Sequence, residues 1–145
     1  MTKTWLALGA GVILVCVGSA YLFRQKTLHT DVWGDIRLVW RWGKAAEQWV
    51  DWDKDGMEDS LLVYHRWSTQ FSTHEVPDEI LDDTLRRGRF DLHVTFADGV
   101  VRVLQRDHDG DGHFEERLAG EEAREAYSRY LATQHAFHKR RLGSE

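Results

Sequence analysis

Two stretches of the chain place an acid at every second residue: "DWDKDGMED" at 51–59 and "DHDGDGHFE" at 107–115. In the first, Asp51, Asp53 and Asp55 precede Gly56, and Asp59 follows three residues later. In the second, Asp107, Asp109 and Asp111 precede Gly112, and Glu115 follows at the same distance. Carboxylates packed this closely repel one another unless a cation neutralises them. A hard cation such as calcium takes about six to eight oxygen ligands, more than any one side chain supplies. Alternating Asp in a tight loop turns three carboxylates inward, and glycine permits the sharp bend. The next backbone carbonyl, at Met57 or His113, then faces the ion. The spacing therefore predicts two calcium sites. The competing reading is a solvated acidic turn, which Asp and Gly favour for local reasons alone.

Both stretches resemble the calcium loop of the EF-hand, D-x-[DN]-x-[DN]-G, with Asp51, Asp53, Asp55 and Gly56 at positions one, three, five and six. Asp107, Asp109, Asp111 and Gly112 match in the same way. The departure comes at position twelve, where an EF-hand carries a bidentate Glu and this chain has Leu62 and Leu118. The acid stands at position nine instead, as Asp59 and Glu115. This D-x-D-x-D-G-x-x-[DE] form is similar to the loops of integrin-type propeller repeats, thrombospondin type 3 repeats and bacterial hairpin repeats. The last of these is matched closely by "FADGVVRVLQRDHDGDGHFEER". The resemblance implies structural sites of modest affinity between strands, and carries no propeller, because two repeats cannot build one.

The segments that must position these loops read as strands. "DIRLVWRW" (35–42) alternates through Ile36, Leu38, Trp40 and Trp42, Gly43 breaks it, and Lys44–Val50 returns as a hairpin. "SLLVYHRW" (60–67) reads as a third strand. "FDLHVTF" (90–96), the turn Asp98-Gly99 and "VVRVLQR" (100–106) repeat the pattern. Asp51 and Asp107, Gly43 and Gly99, and Trp40 and Phe96 are each 56 residues apart, so we read an internal duplication over about 35–67 and 90–118. Between the halves, Pro77, the acids after it and Arg86, Arg87 and Gly88 predict a short helix. Residues 120–142 predict a longer one, with Glu121 and Glu122 near its start and Lys139, Arg140 and Arg141 near its end. The expected fold class is α+β, with small antiparallel hairpins in two related halves packed on these helices.

Trp5 to Phe23 carries no charge for 19 residues and is flanked by Lys3, Arg24 and Lys26. That predicts an N-terminal membrane anchor over 1–26, with residues 27–145 as an extracytoplasmic domain, periplasmic or at the cell surface. The alternative is a secretory signal cut after Ala20. Calcium sites of modest affinity also favour a compartment rich in that ion. The formal charge of −5 gives no bias towards nucleic acid, and Cys16, the single cysteine, excludes an intramolecular disulfide.

Eight histidines form no metal-binding set; His135 and His138 stand three apart on the predicted helix as a surface pair. Glu79, Asp82 and Asp83 read as a solvated face rather than as acid–base groups. No nucleophile-elbow or phosphate-loop motif is present. These features predict a non-enzymatic domain that works through contacts with other membrane or extracytoplasmic proteins, as an accessory or assembly subunit. A carbohydrate- or cell-wall-binding module stacking sugars on Trp33, Trp52 and Trp67 is the alternative, and a hydrolase with structural calcium is a third class.

Overall fold

The computed structural model describes residues 23–30, 34–41, 44–65 and 76–142. Among these described residues, eight strands run in chain order: β1 (Phe23–His29), β2 (Asp35–Arg41), β3 (Lys44–Asp51), β4 (Ser60–Val63), β5 (Glu79–Asp82), β6 (Leu92–Ala97), β7 (Val100–Arg106) and β8 (Glu116–Ala119). A helix, α1 (Gly120–Leu142), follows. Each strand pairs antiparallel with the next in sequence, giving one eight-stranded sheet in the order β1 to β8. The expected α+β collection of separate small hairpins is thereby corrected: the molecule is mostly one antiparallel sheet with α1 as the helix among the described residues.

The short middle helix is corrected with it. Glu79–Asp82 is β5, in register with Ser60–Val63 on one side and Leu92–Thr95 on the other. Acids after a proline are as compatible with a short strand as with a helix start. Pairing on two sides decides for the strand, because it satisfies the backbone of all four residues.

The single-pass membrane reading is also corrected. No helix among the described residues is long and apolar enough to cross a membrane. Residues 23–26, placed at the end of the anchor by hydropathy, belong to β1 and pair with Arg41 to Leu38. The assignment to a single-pass protein with its domain outside the cytoplasm loses its support with that span. Residues 5–22, and the cleavage site after Ala20, lie outside the described residues.

The strands repeat with the 56-residue spacing of the sequence. Ile36↔Val50 and Glu47↔Val63 have counterparts at the same offset in β6–β7 and β7–β8, where Leu92↔Arg106 and Val103↔Ala119 keep the identical registers. A β-bulge falls between Val39 and Trp40 in one hairpin and between Thr95 and Phe96 in the other. The turn between β6 and β7 places Asp98 and Gly99 at φ 53° and 75°, the type I′ geometry that suits the twist of a two-residue hairpin.

Among the described residues, two apolar clusters lie on the sheet. Leu92, Val94, Val101 and Leu104 of β6 and β7 are packed with Ala123 and Ala126 of α1. The two alanines let the helix approach closely, and Phe96 meets Tyr127 edge-on with ring centroids 5.5 Å apart. Each fully buried Leu or Val contributes about 2 kcal/mol. The second cluster, Leu38 and Trp40 with Leu28 and Ile36, lies on β1 and β2. The alternation read in β2 therefore gives the buried face, while Arg37 stands on the other face over the Trp49 ring at 4.8 Å.

Candidate metal centres

In a meander, connections alternate between the two ends of the sheet. Those following β1, β3, β5 and β7 share one end, and the two acid loops are the connections after β3 and β7. Between them in the sheet order lies the β5–β6 connection, residues 83–91.

Each loop is shaped by its own carboxylates. Asp51 accepts N–H donations from Lys54 (2.7 Å) and Gly56 (2.9 Å), Asp53 from Asp55 (3.3 Å), and Asp55 from Met57 (2.8 Å). Asp59 closes the loop by accepting the N–H of Trp52 at 2.6 Å. Shifted by 56, the same bonds form the second loop. Asp107 accepts from Gly110 (2.6 Å) and Gly112 (2.8 Å), Asp109 from Asp111 (3.1 Å), and Asp111 from His113 (2.7 Å). Glu115 accepts from His108 at 3.0 Å. The bend falls on Gly56 and Gly112, at φ 92° and 96°, where an L side chain is strained.

A carboxylate that accepts one or two N–H groups keeps lone pairs for a cation. Asp107, Asp109, Asp111 and Glu115 offer oxygens that all lie within 4.8 Å of one another, as do Asp51, Asp53 and Asp59. Like charges at that spacing repel by about 1 kcal/mol in water and about 3–4 kcal/mol at an effective dielectric of 20. These two groups could hold a metal ion. Asp55, expected to complete the first set, is exposed and stands outside it. Met57 and His113, expected to offer carbonyls, are seen here as N–H donors to Asp55 and Asp111.

The balance between burial and hydrogen bonding differs between the two loops. The Asp59 carboxyl is pushed up chiefly by burial, with Asp53 and Asp51 adding repulsion against the opposing Trp52 N–H and Arg86. For Asp107 burial also pushes upward, but N–H donations from Gly112, Gly110 and Asp111 and the hydrogen bond with Asp109 outweigh it and hold the carboxyl low.

The connection at 83–91 is the part of the site that local sequence patterns miss. Two buried acids build it. Asp83 accepts the N–H groups of Arg87 (3.0 Å), Gly88 (2.6 Å) and Arg89 (3.2 Å). Asp91 accepts those of Thr84 (2.8 Å) and Leu85 (2.7 Å). The turn so fixed sends Arg86 to Asp53 of the first loop, at 3.1 Å. It sends Arg87 to the carbonyl of Asp109 and Arg89 to that of Gly110, the latter at 2.6 Å. The cluster "RRGR" in an acidic chain is the available signal, and the expectation of a helix end at Arg86, Arg87 and Gly88 conceals it.

Behind the first loop, Trp52 Nε1 donates to Ser60 Oγ at 2.9 Å, and Tyr130 of α1 donates to Asp82 at 2.6 Å. Burial pushes Asp82 up, against hydrogen bonds from Ser60 and Tyr130. Burial, with Asp82 nearby, pushes Tyr127 up to about 12. Glu79 is not a solvated acid either. It bridges His65 and His93, each 2.8 Å away, and those contacts hold it below its ordinary value against burial. Of the tryptophans considered for sugar stacking, Trp52 is half-buried, while Trp33 and Trp67 lie outside the described residues. The side chains of His135 and His138 also lie outside them. No known protein family, curated protein or solved structure matches the chain.

Proposed function

We propose that the chain is a non-enzymatic β-sheet module stabilised by two calcium ions, and that it serves other proteins as an accessory or assembly element. The observation that carries this reading is the duplicated loop, reproduced hydrogen bond for hydrogen bond with three or four carboxylates gathered in each copy. All-oxygen donor sets in adaptable loops favour calcium over softer metals. Without a bidentate Glu at position twelve, affinity is expected at about 10⁻⁴ to 10⁻³ M, as in extracellular modules. A site of that strength stabilises rather than senses. The acids outside the loops support a non-catalytic role, since Asp83 and Asp91 are occupied in building a turn and Asp82 is hydrogen-bonded to Tyr130.

The test is calorimetric titration of the full-length, metal-stripped chain with calcium, beside thermal unfolding with and without chelator. Two binding events and a melting temperature that rises with calcium are expected. No binding heat together with unchanged melting on chelation would refute the calcium reading.

A further inference from the structure

One cation is already built into one of the two loops. Arg86 extends from the β5–β6 turn so that its Nη1 stands 3.1 Å from Asp53 Oδ2, while the other oxygen of Asp53 accepts the Asp55 N–H. Its charge also acts on Asp59, the acid that closes the same loop. Asp53 and Asp59 are two of the three residues gathered in that loop as ligand candidates. In the second loop, among the described residues, none of Asp107, Asp109, Asp111 and Glu115 is in an ion pair. The arginines from the same turn reach it differently, because Arg87 and Arg89 donate to backbone carbonyls and occupy no carboxylate oxygen.

The geometry points to Arg86 as the residue that sets the affinities of the two loops apart. Its guanidinium is a tethered cation that calcium must displace from Asp53, so the second loop fills first and the first loop fills at higher calcium. This rests on the calcium reading above and adds to it the order of filling and its cause. An arginine is suited to the role because its charge is permanent and its planar fork holds a carboxylate oxygen well. The pair is solvent-accessible, with side-chain exposures of 51% and 23%, so it is held weakly enough to be exchanged. Arg87 and Arg89 also bring positive charge near the second loop, but exposed charges are screened, and only Arg86 competes for a ligand atom.

The experiment titrates calcium into full-length, metal-stripped protein by calorimetry. Asp53→Ala and Asp109→Ala assign the weaker and the tighter step to their loops. Arg86→Met should tighten the weaker step about three- to tenfold and leave the tighter one within about twofold. Arg86→Gln provides a second neutral replacement if the first does not fold. Arg86 lies at φ 52°, and Met and Gln meet the same left-handed backbone there, so the comparison holds the backbone strain constant. Arg86→Lys keeps the charge and should keep the weaker step weak. Two calcium steps that are both unchanged in the neutral variants would overturn the role of Arg86 and leave the calcium reading intact. Absence of calcium binding in wild type and variants alike would overturn both.

Discussion

The two acid loops are drawn from one pattern and set in different surroundings. The first has Asp59 partly desolvated, Arg86 paired with Asp53, and Lys54 in the left-handed region at φ 62°. The second has Asp107 held low by backbone N–H groups, and Gly110 at φ 77° in the place of Lys54. A fourth acid joins the cluster only in the second loop. The shared spacing of acids and glycine therefore fixes the loop's path, and neighbours from other strands decide how strongly each copy demands a cation.

The sharpest way to break the comparison is at Gly34, which has φ 73° and belongs to the first half alone, since Phe90 stands 56 residues later. A Cβ there would lie 1.9 Å from the backbone oxygen of Asp51, the residue that opens the first loop. Gly34→Ala should destabilise the protein by about 3 kcal/mol or more, read by chemical unfolding. Calcium binding at the first loop should be lost before that at the second. An unchanged midpoint would mean that the β1–β2 connection does not brace this loop.

A smaller effect separates the two sides by pH. Asp82 has a raised folded value, so the folded state takes up its proton before the unfolded chain does. Its contribution to stability therefore grows as pH falls from neutral through that raised value, and is complete near the ordinary 3.8. Asp107 has a lowered value, so its contribution is present above 3.8 and is lost as pH falls through the folded value. Chelated wild type compared with Asp82→Asn should gain stability relative to the variant on mild acidification. Compared with Asp107→Asn it should lose its advantage only in stronger acid. Parallel curves for all three proteins would remove the distinction.

The smallest effect is expected at Lys54, whose counterpart Gly110 meets the left-handed backbone without a Cβ. Lys54→Gly should stabilise the first loop by up to about 1 kcal/mol in thermal unfolding of the chelated protein. A loss of stability would mean that the lysine side chain contributes more than the backbone conformation costs.

What was legible in the sequence follows the range of the forces involved. β2 and β6 show in period-two alternation, the β6–β7 turn and its return strand β7 in Asp98-Gly99, and α1 in spacings of three and four from its acidic start. All of these are local signals. β1 was hidden because "FRQKTLH" carries polar residues along most of its length, and its partner lies beyond a connection. β5 was hidden because four residues after a proline look alike at the start of a helix and of a strand. The acids 51–59 and 107–115 were found by spacing alone, yet spacing does not distinguish Asp55, left outside its group, from Asp111, included in its own. The contacts of the arginine turn were out of reach, since Arg86 finds Asp53 across 33 residues and Arg89 finds Gly110 across 21.

The strictly sequential strand order also bears on how the chain reaches this state. Because pairing never skips a strand, each one docks on a neighbour made just before it, and the closure entropy is met in short steps. Sheets whose strands return from distant parts of the chain fold more slowly for want of such a route. Acids crowd the bends at residues 51–59 and 107–115, and their mutual repulsion opposes the approach of β4 to β3 and of β8 to β7. Screening of the charge in those two bends should therefore ease both closures as the chain folds.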